Sequence, residues 1–325
     1  MPEARARPGG ARDGSFGARG LGMGYARRMQ SLLLFETQGR TTPRRWLTRV
    51  KPQRVAQRAV LGLVHRHPVR NVLLLGQPKS GSTWLRRMLC EVPGFVRWSA
   101  PSTEWWNDHP LAQRWFDSPP LGYTVTRVHS APTPEHLALV GSLGRPAVVL
   151  FRDLRDVCVS WAYFVETSTF PMPERLRAMP VADRLDVFIE ELLPRYHRWA
   201  EGWAGGPGNL VRVRYEDLVV DTAGVMRGVL DRLGLAVSEA ALGRLVARHS
   251  FAARTGRTPG EQDAGCFDRK GVVGDWRAHF TRAQGERFAA VIAEFGPSSL
   301  YDYGATRGPA TQAAPMACEL SVTDL

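Results

Sequence analysis

The run Val72-Leu73-Leu74-Leu75 is apolar without a break, ends in a turn from Gly76 to Gly81, and leads at once into a helical pattern. A strand with no polar alternation is buried on both faces, which is the condition of a parallel strand covered by helices above and below. After the turn, Trp84, Leu85, Met88 and Leu89 share one helix face. A second apolar run, Ala147 to Phe151, and a third, shorter segment, Leu210 to Val213, read as further buried strands. The periodicity predicts helical stretches at 156–164, 181–203, 222–233 and 237–248. Strand and helix signals alternate, so the expected fold is α/β, a doubly wound, mainly parallel central sheet flanked by helices.

The first turn carries chemistry. In Gly76-Gln77-Pro78-Lys79-Ser80-Gly81-Ser82-Thr83-Trp84, two glycines stand at G-x-x-x-x-G spacing. A loop of this kind opening a helix aims several backbone N–H groups at one anion, aided by the helix dipole. In a Walker loop a lysine directly follows the second glycine. Here Ser82 holds that place and Lys79 lies two residues before Gly81. Lys79 is thus part of the turn and is suited to the bridging atoms of an anion rather than to a terminal phosphate. Such turns also occur without ligands, but the full string after a buried strand argues against an idle one. Arg152 ends the strand at 147–151, the end at which ligand sites of open α/β sheets lie. It can grip a phosphate in bidentate fashion or pair with Asp156 inside the fold.

The string Pro78-Lys79-Ser80-Gly81-Ser82-Thr83-Trp84 resembles the 5'-phosphosulfate loop of the cytosolic-type sulfotransferase family, Pro-Lys-Ser-Gly-Thr-Thr-Trp-Leu in its usual form, and Ser82 keeps the hydroxyl. Three further segments follow in the family's order and, with the loop, span about residues 71–281. Phe151 to Phe164 is similar to the 3'-phosphate segment and contains Arg152 and Ser160. Arg214-Tyr215-Glu216-Asp217-Leu218 supplies a tyrosine that in the family contacts the adenine, and Phe251 matches an aromatic that stacks on the base opposite the equivalent of Trp84. Arg269-Lys270-Gly271-Val272-Val273-Gly274-Asp275-Trp276 is similar to the C-terminal R-K-G-x-x-G-D-W segment. Two residues depart from the pattern: Asp268 replaces an apolar residue before Arg269, placing an acid beside a phosphate site, and His249 replaces a threonine.

The resemblance implies a 3'-phosphoadenylyl sulfate (PAPS) dependent sulfotransferase that passes a sulfuryl group to a hydroxyl or amine of a small-molecule acceptor. It implies that Lys79 stabilises the leaving group, and that Ser160 restrains Lys79 until the acceptor arrives. It implies a nucleotide site of Lys79, Ser80, Gly81, Ser82, Thr83, Trp84, Arg152, Ser160, Tyr215, Phe251, Arg269, Lys270 and Gly271. For the general base it points to His129 in Thr126-Arg127-Val128-His129, where Arg127 stands in place of the family's lysine. Glu104 is the rival, since other sulfotransferase branches use a glutamate. No Walker B type acid is evident, and no metal is expected. The acceptor slot is drawn from Trp105, Trp106, Trp161, Tyr163, Phe164 and Phe170, aromatics that serve equally well as core. The competing readings are a P-loop small-molecule kinase and a non-catalytic nucleotide-binding module.

The net charge of +12 does not describe the folded body. Residues 1–70 hold 15 basic and 3 acidic residues, which accounts for the whole excess, so residues 71–325 are neutral. A nucleic-acid partner is therefore not expected, in spite of the basic total. The expected organisation is a basic, largely disordered leader at 1–50, an amphipathic helix or linker at 51–68, the enzyme domain at 69–303 and a flexible tail at 304–325. No stretch nears the roughly 20 apolar residues of a membrane span. The 4 cysteines are scattered, without metal or disulfide spacing, as in a reducing, cytoplasmic setting. A homodimer is weighed on Arg277 to Glu286, which resembles the family's dimer motif in keeping Thr281 but has Arg282 at an apolar position.

Overall fold

The computed structural model describes residues 64–98, 111–113, 116, 122–168 and 172–303. The expected leader, most of the 51–68 helix, the tail and the side chains of Glu104, Trp105, Trp106 and Phe170 lie outside them. Five strands form one sheet: β1 (Asn71–Gly76), β2 (Phe95–Trp98), β3 (Tyr123–Val128), β4 (Ala147–Phe151) and β5 (Leu210–Arg214). Their order is β2-β3-β1-β4-β5 and every pairing is parallel. The helices are α1 (Ser82–Leu89), α2 (Pro134–Gly141), α3 (Leu154–Thr167), α4 (Glu174–Ala178), α5 (Val181–Val187), α6 (Leu193–Ala204), α7 (Tyr215–Val220), α8 (Thr222–Arg232), α9 (Glu239–His249), α10 (Phe251–Thr255) and α11 (Arg282–Glu294).

The central strand explains the layering. Along β1, Val72 and Leu74 enter one core with Leu85 and Met88 of α1, Met226 and Leu230 of α8 and Leu242 of α9. Leu73 and Leu75 enter the opposite core with Val140 of α2 and Trp199 and Trp203 of α6. Each fully buried leucine contributes about 1.5–3 kcal/mol by leaving water. The chain leaves β1 toward the first face, but reaches β4 from β3, and β5 from β4, by way of helices on the second. The crevice beyond the carboxyl end of β1 is therefore the topological switch point, where ligands of open α/β sheets bind.

The structure differs from the sequence expectation at β2 and β3 and in the helix expected at 181–203. β2 and β3 give no clean apolar run. In β3 the buried positions include Thr124 and Thr126, whose hydroxyls accept from Asn71 Nδ2 at 2.6 and 2.7 Å across the β1–β3 pair. The expected helix at 181–203 is α5 and α6 joined by a π-turn, Phe188–Leu192. The π-turn sits just before Pro194, which lacks the N–H that a regular helix would use there. Thr281 opens α11 through a capping box with Gln284, and Arg282 pairs with Glu286 at 2.8 Å on its exposed face, which accounts for both residues within one chain.

Candidate active site

The turn after β1 is built to face an anion. Ser80 closes it by donating both its N–H and its hydroxyl to the Gln77 carbonyl, at 3.2 and 2.7 Å, so Ser80 is spent on loop shape. Lys79, inside the turn, has φ 70, the one left-handed non-glycine among the described residues, at a cost of about 1–2 kcal/mol. Gly81, with φ 92, caps α1, and a Cβ there would stand 2.6 Å from the Tyr215 ring. The N–H groups of Lys79, Gly81, Ser82 and Thr83 have no hydrogen-bond partner among the described residues. They converge at a helix N-terminus, the usual cradle for a phosphate or sulfate. Arg127 donates to Ser82 Oγ at 3.4 Å and to Thr83 Oγ1 at 3.0 Å, which leaves both hydroxyl protons available to an anion. Burial, with Arg86 and Arg97 nearby, lowers the Arg127 pKa to about 9, so it stays charged at neutral pH.

Two cations meet over this cradle. The Lys79 ammonium lies 4.2 Å from the ring centroids of both Phe164 and Phe267. Burial first, then the charge of Arg152, lowers its pKa to about 7, although part of the side chain reaches solvent. Arg152 donates to the Lys79 carbonyl at 3.1 Å and to the Val272 carbonyl at 3.4 Å, and lies 4.3 Å over the Tyr215 ring. Its Nε is buried with no partner, an orphaned donor beside the loop. The Asp156 pairing weighed from sequence is loose, at 3.9 Å. Asp156 instead receives the N–H groups of Gly274 at 2.7 Å and Trp276 at 3.0 Å, fastening the 269–276 segment to α3. The Ser160 hydroxyl, two turns along α3, makes no hydrogen bond among the described residues and does not hold Lys79 here.

The third wall is the segment Arg269 to Trp276. Arg269, Lys270 at 2.6 Å and His279 at 3.2 Å converge on buried Asp275. Burial opposes its ionisation, but hydrogen bonds from His279, Arg269 and Lys270 hold the carboxyl well below the usual carboxylate range. Arg269 also lies 4.4 Å over the Tyr163 ring. Asp268, a concern on sequence grounds, is neutralised by Arg254 and by Arg87 at 3.5 Å. Gly271 has φ +67, and a Cβ there would lie 2.4 Å from the Phe251 ring. Trp84 donates to the His249 carbonyl at 2.8 Å and meets Tyr215 edge-on at 6.1 Å. Trp84, Tyr215, Phe251 and Gly271 are thus joined into one wall. Gly271→Ala should raise the dissociation constant for adenosine 3',5'-bisphosphate about tenfold or more, since left-handed strain alone is worth about 1–2 kcal/mol. Titration calorimetry, with circular dichroism to verify the fold, reads this out.

His129 follows β3 directly, next to the start of the turn. Its Nδ1 faces the Gly76 carbonyl oxygen. A carbonyl only accepts, so Nδ1 carries the proton and Nε2 is the basic nitrogen of the neutral ring. Of the aromatics weighed for the acceptor slot, Trp161 is core, packed on Phe188 at 5.6 Å and 3% exposed. Tyr163 lies against Arg269 and His279, and Phe164 against Lys79. Sequence reasoning placed Arg127 beside the base without foreseeing its bonds to the loop hydroxyls, and did not single out Asp275 or Phe267 as parts of this site. The only available signal was that each lies within or next to a matched segment.

A phosphate-type loop at the switch point of a parallel sheet, ringed by arginines and lysines with a histidine at its base, defines a nucleotide-dependent group transferase. The family model described as sulfotransferase domain matches residues 69–303, and the chain belongs to the sulfotransferase family, enzymes that depend on PAPS. Rat sulfotransferase 2A1 is 29% identical over 256 residues, covering 69% of this chain and 84% of its own length. Mouse sulfotransferase 2B1 is 27% identical over 251 residues, covering 69% and 70%. The structure of mouse sulfotransferase SULT7A1 complexed with PAP superposes with a TM-score of 0.55 at 18% identity, over 74% of this chain and 88% of that one. Among the described residues no helix is long and apolar enough to cross a membrane.

Proposed function

We propose that the chain transfers a sulfuryl group from PAPS to a hydroxyl or amine of a small molecule, with Lys79 at the leaving group and His129 as the general base. The observation that carries this reading is the set of unsatisfied donors around one point: the loop N–H groups, the Arg152 Nε and the Lys79 ammonium beside them. They suit an anion whose charge grows on the leaving phosphate as the sulfur–oxygen bond breaks. The acceptor oxygen bonds to sulfur, its proton passes to His129 Nε2, and adenosine 3',5'-bisphosphate leaves with the electron pair of the broken bond. Trp84 and Phe251 hold the adenine, while Arg152, Ser160, Arg269, Lys270 and Gly271 hold the 3'-phosphate. PAP in the SULT7A1 structure is the product nucleotide that this assignment requires. The reaction needs no metal. Asp153, the acid nearest the end of β4, is spent capping α3 and pairing with Arg155 at 2.6 Å. The free thiols of Cys90, Cys158 and Cys266 suit a reducing compartment.

Thermal melting tests the reading against a P-loop kinase. Adenosine 3',5'-bisphosphate at 100 times its dissociation constant should stabilise the protein by about 2.7 kcal/mol, roughly 5–10 °C for a domain of this size. ATP with Mg²⁺ should do far less. A larger shift with ATP and Mg²⁺ would sink the assignment. Transfer of labelled sulfate from PAPS to an acceptor, kept in the presence of EDTA, separates an enzyme from a binding module.

A further inference from the structure

Arg269 and Lys270, assigned above to the 3'-phosphate, converge on one buried carboxylate that the mechanism leaves unused. Lys270 Nζ lies 2.6 Å from Asp275 Oδ1, and Arg269 donates through Nη2 to Asp275 Oδ2. Two adjacent cations repel, and each ends a long side chain with many rotamers. A carboxylate between them offsets the repulsion and fixes both directions at once.

Asp275 is itself fixed. It opens the short 3₁₀ turn Asp275–Ala278, and its side chain is buried. The N–H groups on either side of it, those of Gly274 and Trp276, both donate to Asp156 of α3. On the remaining side His279 Nε2 stands 3.2 Å from Oδ2. The two cations depend on Asp275 to different degrees. Arg269 also donates through Nη1 to Gln262 Oε1 at 2.9 Å and lies over the Tyr163 ring. For Lys270, Asp275 is the one side-chain partner among the described residues. A guanidinium has five N–H donors and an ammonium three, so these bonds leave donors on both side chains for a phosphate. Asp275 and a 3'-phosphate can therefore be held together, without one displacing the other.

We propose that Asp275 is the positioning residue of the 3'-phosphate site. It does not touch the nucleotide. It sets the separation and direction of Arg269 and Lys270, and through them the preference for an adenine nucleotide that carries a 3'-phosphate over one that lacks it. This rests on the sulfuryl-transfer reading and deepens it.

The test is calorimetry on the full chain with two ligands, adenosine 3',5'-bisphosphate and adenosine 5'-phosphate. The unaltered protein should bind the bisphosphate about 100-fold more tightly, roughly tenfold for each of two charged contacts. In Asp275→Asn that ratio should fall about tenfold, through the bisphosphate alone, with the monophosphate affinity kept within about twofold. In Arg269→Gln/Lys270→Gln the ratio should already be low, and adding Asp275→Asn should leave it there. A ratio unchanged or raised in Asp275→Asn overturns the proposal, and so does an equal loss for both ligands, which is what a purely structural role gives. If Asp275→Asn does not fold by circular dichroism, Asp275→Glu, which keeps the charge but shifts it by one methylene, decides on the same criterion. If neither variant folds, Asp275 serves the fold and the proposal is overturned. Failure of the underlying reading is distinct: the unaltered protein would then show no preference for the bisphosphate.

Discussion

Lys79→Met should lower kcat by about 10²–10³-fold, the usual loss when one donor aimed at a developing negative charge is removed. Methionine keeps the apolar stem out to Cε, while the ammonium that faces the Phe164 and Phe267 rings is lost with its charge. The same substitution should stabilise the nucleotide-free protein at low pH. Folding lowers the Lys79 pKa from 10.5 to about 7, so between those values the unfolded chain holds a proton that the folded protein has released. Stability of the unaltered protein therefore rises with pH across that window, and the cost of burying the charge is fully present below about 7. The variant should melt higher than the parent at pH 6, and the two should converge toward pH 10. An equal melting difference at both pH values would contradict the lowered pKa. Activity moves the other way. The leaving group needs a charged lysine, so kcat/KM for the donor should fall as pH rises through about 7, and Lys79→Met should lose that limb. Binding of the anionic nucleotide at pH 8 should take up a proton at Lys79, which calorimetry in buffers of different ionisation enthalpy measures directly.

The legible parts of the fold were those in which one residue type has one use. A buried parallel strand must be apolar on both faces, so β1 and β4 stand out as runs, while the edge strand β5 shows only Leu210, Val211 and Val213 around an exposed Arg212. β3 does not, because Thr124 and Thr126 are buried through hydrogen bonds from Asn71 on a neighbouring strand, a compensation between residues 53 and 55 positions apart. The same limit governs the site. The Lys79 loop and Gly271 were readable because a left-handed or crowded backbone leaves a mark in sequence. Asp156 shows the limit: the pairing with Arg152 weighed from sequence exists only loosely, at 3.9 Å, and its carboxylate mainly serves N–H groups 118 and 120 residues away. Asp268 looked like a fault in a phosphate site, and the arginines that offset it, Arg87 and Arg254, come from α1 and α10. Local pattern located the glycine turn after β1, while the partners that tune its charge are set by tertiary packing.

The base is the step in which the histidine and Glu104 give opposite expectations. His129→Asn is the informative substitution, because an asparagine Nδ2 can replace Nδ1 as the donor to the Gly76 carbonyl and keep the start of the loop in place. What it removes is the basic Nε2. Turnover should fall by about 10²–10⁴-fold, the range typical of a lost general base. The melting shift with adenosine 3',5'-bisphosphate should stay within about twofold in fitted affinity, since the hydrogen bond that shapes the cradle persists. The deficit should be smaller with acceptors of lower hydroxyl pKa, which reach the attacking oxyanion with less help. A phenol series of graded acidity should therefore show a steeper dependence on acceptor pKa in the variant than in the parent. If His129→Asn turns over at near-normal rate with an unchanged slope while Glu104→Gln is inactive, the proton goes to the glutamate, and the Nδ1 bond to Gly76 marks His129 as a support of the loop alone.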